Sequence, residues 1–368
     1  MAGVEGERPK GPSKQSLWHH AQRKRVIEAH PEVRKLFKPE PLQLIPVFGL
    51  ITARWGMAYA LRDSPLWLIG VCACTVGTWS VHGLGTYGHE QAHRLIASGQ
   101  PWAMIVDVIL EIGLTSFGRI VGYQYRHVNF HHVYLGDYEW DPEMRDLCAH
   151  VTVVSAEQRS WLVTRALVII EGCLSMLTPA GGLYSQDVME WLRSRFLIPD
   201  VKGEDSVRPP RFQLPAHLAR KKYAFLTLSV ACYVVCAWAW GWRAMVFALW
   251  SLAVKVSRFD VIAWGQDIAE HNSDNDDHPT NSTKSIFNWI FANTGYHTEH
   301  HSFGNVPGCY LPRLTAAAPE EFKFQPDSWA TLWLRWARSN FKSFRLTEQQ
   351  TKIAEAGRCS RKPVSKRD

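Results

Sequence analysis

The sequence predicts an all-α integral membrane protein, with four transmembrane helices in two hairpins and a histidine-rich cap on the cytosolic side. Three observations carry that prediction. Four apolar runs stand in two close pairs, 44–61 with 65–85 and 223–240 with 242–256. Eight of the sixteen histidines fall in three tight clusters outside those runs: His89 with His93, His127 with His131 and His132, and His297 with His300 and His301. Lysine and arginine collect at both ends and in the connection 178–222, and hardly at all in the turn 62–64. Two hairpins return the chain to one face each time, and the positive-inside rule makes that face cytosolic.

Taken in order, residues 1–43 form a cytosolic N-terminal segment, in which 1–15 are too polar to fold alone. The stretch 16–37 reads as one or two short amphipathic helices, with Leu17, Trp18, Val26, Ile27, Val33 and Leu36 on the apolar side. Such a segment suits either a membrane surface or a docking face on its own protein. Residues 44–322 form the membrane domain. Each apolar run approaches the ~20 residues that cross ~30 Å of hydrocarbon. Arg54 interrupts the first run and is expected to snorkel or face a neighbouring helix. The stretches 101–117, with Asp107 and Glu111, and 161–177, with Arg165 and Glu171, are expected to lie at the interface or against the site. Residues 257–271 are expected to continue the last span as helix. Residues 323–368 form a basic cytosolic tail.

Composition narrows the function classes. A mean hydropathy of −0.18 would pass for a soluble chain, but the apolar residues are segregated. Trp67, Trp79, Trp238, Trp240 and Trp242 lie in or at the ends of apolar runs, where indole favours the membrane–water boundary. The net charge of +7 belongs to the ends and connections, without a nucleic-acid-binding module, so anionic lipid is the expected partner rather than nucleic acid. The eight cysteines show no framework spacing and read as reduced. No cleavable signal pattern opens the chain, so insertion is expected to rely on internal spans.

The clusters carry the chemistry. Neutral imidazole is the commonest metal ligand, and spacings of three and four put ligands on one helix face. His89-Glu90-Gln91-Ala92-His93 also satisfies the H-E-x-x-H pattern of zinc proteases. A catalytic zinc needs only three protein ligands, which leaves six clustered histidines idle, so two metal ions suit the set better. His271 is a ninth candidate ligand. Asp267, four residues before it, is placed to orient a ligand or a bound water. His19, His20, His30 and His150 read as surface residues, and His82 as packed within the second span.

These clusters resemble the histidine boxes of membrane fatty-acyl desaturases and hydroxylases. More narrowly, GYHTEHHSFGNVPGCYLPRL around the third box, RKRVIEAHPEVRKLFKPEP in the N-terminal segment and IAEH ending at His271 resemble the sphingolipid Δ4 desaturases. The likeness runs from about Trp18 to Phe322. The second box departs from that subgroup with three residues between His127 and His131, as do Arg94 after the first box and Gln266-Asp267 before IAEH. The resemblance implies a non-haem diiron enzyme of the endoplasmic reticulum membrane. It would use O2 and electrons from cytochrome b5 and its NADH-dependent reductase to place a Δ4 trans double bond in dihydroceramide or sphinganine. The nearest alternatives are a C4-hydroxylase or bifunctional enzyme, then another fatty-acyl desaturase; the zinc protease stands in a different class.

Overall fold

The computed structural model describes residues 11–137, 140–143, 169–170, 172–174, 176–178, 214–257, 259–271 and 279–338. The stretch 161–177, the connection 178–222 and the tail 323–368 lie only partly within them, and His150 and His278 lie outside. The described residues are mostly helical. Helix α1 (Lys14–Ala29) precedes α2 (Leu44–Ala60), α3 (Leu66–Ala92) and α4 (Trp102–Leu114). Helix α5 begins as Arg119–Arg126, passes through one π turn at His127–His131 and ends as His132–Tyr134. Helices α6 (Ala216–Trp240), α7 (Trp242–Lys255) and α8 (Ala263–His271) follow, then α9 (His297–Ser302), α10 (Leu311–Ala317) and α11 (Trp329–Arg338).

All four predicted runs are helical, and the helices of each pair pack on one another. Two helices, α3 and α6, are long and apolar enough by themselves to cross a membrane. They differ in burial: 56% of the apolar window of α3 is inside the protein and only 22% of that of α6. Helix α6 therefore leaves Val230, Val234, Val235 and Trp238 exposed, a surface that an apolar medium would cover.

Helices α2, α3 and α7 pack together around Ile69, Ala73, Ala58 and Phe247. A Cβ on Gly77 would lie 2.1 Å from Ser251 Oγ, so glycine sets the approach of α3 to α7. Arg54 is fully buried and donates to the Gly113 and Ala248 carbonyls, so it faces its neighbours. Helix α4 packs on α2 and α3 with both acids satisfied. Asp107 accepts from Arg94, Gln124 and Lys221, and Glu111 from Ser116, Gly118 and Ser229. Gly118 has φ 74°, and a Cβ there would meet the Lys222 carbonyl at 2.3 Å, so only glycine turns the chain into α5 at this contact.

Two expectations need correction. The last long helix does not run on through 257–271. It stops at Lys255, and Asp260 starts α8 afresh by accepting from the Ile262 and Ala263 amides, a capping geometry that ends one helix axis and sets another. A two-residue parallel pairing, Ser282 with Phe324 and Thr283 with Gln325, also interrupts the all-α pattern. The start of the expected tail is packed structure: Trp329, Leu332 and Trp336 of α11 bury against Trp264 and Ile268 of α8.

Candidate metal centre

Each histidine cluster sits where a helix enters the cap. His89 and His93 end α3, the π turn and the residue after it hold His127, His131 and His132, His271 ends α8, and His297, His300 and His301 make up half of α9. A π turn spreads one extra residue over its turn. That is how the three residues between His127 and His131 fit while His127, His131 and His132 all face inward.

The structure gathers the nine candidate histidines into two groups. Ring nitrogens of His89, His93, His127, His132 and His300 lie within 4.8 Å of one another, as do those of His131, His271, His297 and His301. Nε2 atoms face each other at 3.0 Å for His127 and His132, 3.1 Å for His132 and His300, and 3.3 Å for both His131 with His301 and His271 with His297. Two ligands about 2.1 Å from one ion and 90–109° apart lie about 3.0–3.4 Å from each other. The groups adjoin, with the His132 and His301 rings stacked at 4.4 Å. His93 Nε2 is buried without a hydrogen-bond partner, and so many convergent acceptors cannot all be paired by sharing protons. The donor set fits two imidazole-bound metal ions.

Carboxylates fix the ring orientations. His131 Nδ1 lies 2.8 Å from Asp141, both fully buried, and His127 Nδ1 lies 2.6 Å from Glu143. His297 Nδ1 lies 3.6 Å from Glu270. In all three rings Nδ1 faces a carboxylate and Nε2 faces the cluster, the arrangement that metal-binding histidines adopt. Glu143 lies between the groups, with its other oxygen 3.6 Å from His131 Nε2. Asp267 is exposed and lines the adjoining cavity; the carboxylates closest to candidate ligands are Asp141, Glu143 and Glu270.

Electrostatics agree with a cation-binding site. Burial pulls His271 down to about 3, and burial with His131 nearby does the same to His93, which keeps these rings neutral with lone pairs free. Burial alone would lower His131 too, but Asp141 and Glu143 lift it to about 9. Positive charge is favoured there, whether brought by a proton or a metal ion. Burial raises Glu143 to about 7.

The sequence reading missed several contributors. Asp141 and Glu143 lie in a loop that showed only turn chemistry, and Glu270 stood unassigned inside IAEH. His19 is corrected from surface to buried: its Nδ1 meets Ser302 Oγ at 2.7 Å and its ring lies 5.3 Å from that of His301. His20 is exposed as expected, and His30 is paired with Glu320.

A cavity of about 390 Å³ opens beside the centre. His89, His127, His297 and His300 form one wall, and Val81, Leu114, Ile120 and Leu252 supply apolar surface. Glu90, the base a zinc protease would need, is buried and accepts from the Gly308 amide at 2.7 Å.

A helical protein that aims nine imidazoles at two adjacent points beside a partly apolar cavity carries the ligand set of a metal-dependent protein. Residues 65–333 match the fatty acid desaturase family, and the chain belongs to that family, as its boxes imply. It is 27% identical to the sphingolipid delta(4)-desaturase/C4-monooxygenase DES2 of Rattus norvegicus, covering 86% of this chain and 87% of that protein. It is 24% identical to the sphingolipid delta(4)-desaturase DES1 of Drosophila melanogaster, covering 86% of each. The DES1-like sphingolipid delta(4)-desaturase of Oryza sativa subsp. japonica is 23% identical, covering 83% of this chain and 80% of that one.

Proposed function

We propose that the chain is a membrane-bound diiron desaturase that introduces a Δ4 trans double bond into the long-chain base of dihydroceramide or free sphinganine. The observation that carries this reading is the pair of histidine groups beside a cavity with apolar walls, in a chain whose relatives bear sphingolipid delta(4)-desaturase names. His89, His93, His127, His132 and His300 would hold one ion, and His131, His271, His297 and His301 the other; Asp267 would orient a ligand or a bound water from the cavity side. When bound, the irons supply the oxidising power to remove hydrogen from unactivated methylenes. The balance is one substrate, O2, two electrons and two protons giving the alkene and two waters.

The protein's own part is placement. Asp141, Glu143 and Glu270 orient their histidines with Nε2 toward the cluster, and the apolar walls keep water from the reacting carbons. The four helices α2, α3, α6 and α7 span the endoplasmic reticulum membrane as two hairpins, with both termini and the histidine centre cytosolic. Electrons come from cytochrome b5 and its NADH-dependent reductase, drawn to the basic cytosolic face. The domain limits follow this plan: 1–43 N-terminal segment, 44–322 membrane domain, 323–368 tail.

A second reading, C4-hydroxylation, is favoured by one observation, the desaturase/C4-monooxygenase names of the rat and other DES2 relatives. Both outcomes begin with loss of hydrogen from C4. Feeding isotope-labelled dihydroceramide to cells that carry the chain, followed by mass spectrometry, separates them. A Δ4 alkene is the expected product, a 4-hydroxy product supports the second reading, and conversion of neither rejects both.

A further inference from the structure

Residues 284–291, with the sequence KSIFNWIF, lead from the two-residue pairing toward α9. Their apolar side chains divide in two. Phe291 is buried, and Phe287 and Ile290 pack against the cluster of Trp264, Trp329 and Trp336. Ile286 is 79% exposed and Trp289 is 73% exposed. The backbone that presents this pair is nonetheless held by its own hydrogen bonds. The Asn288 backbone amide donates to the Ser285 carbonyl, and those of Ile290 and Phe291 donate to the Phe287 carbonyl. The Phe287 backbone amide donates to Ser285 Oγ at 3.1 Å, and Asn288 Nδ2 donates to the Thr283 carbonyl at 3.0 Å. A turn that satisfies its polar groups internally can sit where water is scarce.

The turn lies against a helix that is long and apolar enough to cross a membrane. The Phe287 ring is 5.5 Å from that of Trp79 on α3, where Trp79 and Val76 are themselves 40% and 36% exposed. Ile286 and Trp289 flank Phe287, so they extend the outer apolar surface of α3. Trp79 stands about 20 Å along the axis from Leu66, where α3 begins. The charged turn Arg62-Asp63 just before puts that beginning at one edge of the ~30 Å hydrocarbon layer. Phe287 therefore lies short of the opposite edge, at the depth where indole rings collect. Residues 284–295 also carry one lysine and no acid, so no charge there opposes an anionic lipid surface.

We propose that residues 284–291 form a wedge that enters one leaflet beside α3, with Ile286 and Trp289 against lipid acyl chains. From the wedge the chain runs directly to Ala292 and Thr294, which line the cavity, and then to His297 of the metal centre. The wedge thus anchors that wall of the cavity to the leaflet, next to the lipids. This inference rests on the membrane placement of α3 and goes beyond the choice of substrate or product.

The test places a photoreactive benzophenone amino acid at position 286, 289, 234 or 320, one at a time, in the full chain held in phosphatidylcholine nanodiscs. All four side chains are exposed, so the fold does not depend on them. Val234 of α6 serves as the lipid-facing control and Glu320 as the water-facing one. After irradiation, mass spectrometry identifies what each position has captured. Phospholipid adducts at 286 and 289 are expected at a yield close to that at 234 and at least about tenfold above that at 320. Lipid adducts at 234 with none at 286 or 289 overturn the inference and leave the desaturase reading standing. Capture of this chain or a second copy by 286 and 289, in place of lipid, also overturns it, because protein would then cover the face. So do lipid yields at 286 and 289 no higher than at 320. Lipid adducts at none of the four positions overturn the wedge together with the membrane placement of α6.

Discussion

Asp141 touches no substrate, yet its carboxylate, itself fully buried, holds His131 at 2.8 Å and accepts from the Gly136 amide at 3.0 Å. Replacing such a partner typically weakens metal binding 10–100-fold. Asp141→Asn is therefore expected to lower iron affinity by that factor, first at the group containing His131, as read by metal titration of the purified protein; unchanged affinity would remove Asp141 from the site. The neutral rings make a separate prediction about pH. His93 and His271 are depressed from 6.5 to about 3, so between those values the unfolded chain binds protons that the folded chain refuses. Their contribution to stability is present above about 6.5 and is lost as pH falls through that window. Thermal unfolding of the metal-free protein in lipid nanodiscs, followed from pH 7.5 to 4, should show Tm falling as the medium is acidified. A flat profile would contradict the burial assigned to these rings.

At the scale of the element, α1 shows why only part of the architecture was legible. Apolar spacing pointed to Leu17, Trp18, Val26 and Ile27, but the buried face is Ser16, His19, Gln22 and Val26. Leu17 is 51% exposed. The docking face is mostly polar because it meets backbone and hydroxyl groups of the histidine elements. Ser16 Oγ donates to the His132 carbonyl at 2.5 Å, and Ser302 Oγ to Gln22 Oε1 at 2.5 Å. The helix thus ties the second box to the third. Hydrophobic periodicity carries no signal for such a face, nor for the pairing of Asp141 or Glu270 with a distant ring. The eight clustered histidines were legible because their spacing is local, whereas His271 stood out only through Asp267 and the IAEH segment. If α1 is held this way, Gln22→Ala should destabilise the protein by about 1–3 kcal/mol, the cost of leaving buried partners unmet. Leu17→Ala should change stability by less than about 0.5 kcal/mol. Chemical denaturation of both variants checks this, and the reverse order would place α1 on lipid by its apolar face.

For the whole molecule, the lengths of the four helices bear on how the centre meets the membrane. At about 1.5 Å per residue, α3 with 27 residues and α6 with 25 exceed the ~30 Å of hydrocarbon. Their partners α2, with 17 residues, and α7, with 14, fall short of it. A short span is accommodated by local thinning of the bilayer, and α7 ends at Lys255, which lines the cavity with His82. In a four-span arrangement the cavity therefore opens near the level where lipid polar groups lie, so a membrane lipid reaches the centre without leaving the bilayer entirely. The arrangement puts the turn 62–64 and Gly241 in the lumen, and exposed Cys309 beside the third box in the cytosol. An acceptor loop for N-glycosylation inserted at 62–64 should be glycosylated in cells. The same acceptor loop inserted instead after the third box, at exposed residues 319–320, should stay unglycosylated. Glycosylation at both positions would put the turn and the third box on the same side, and the two-hairpin topology would then be wrong even though the histidine groups converge.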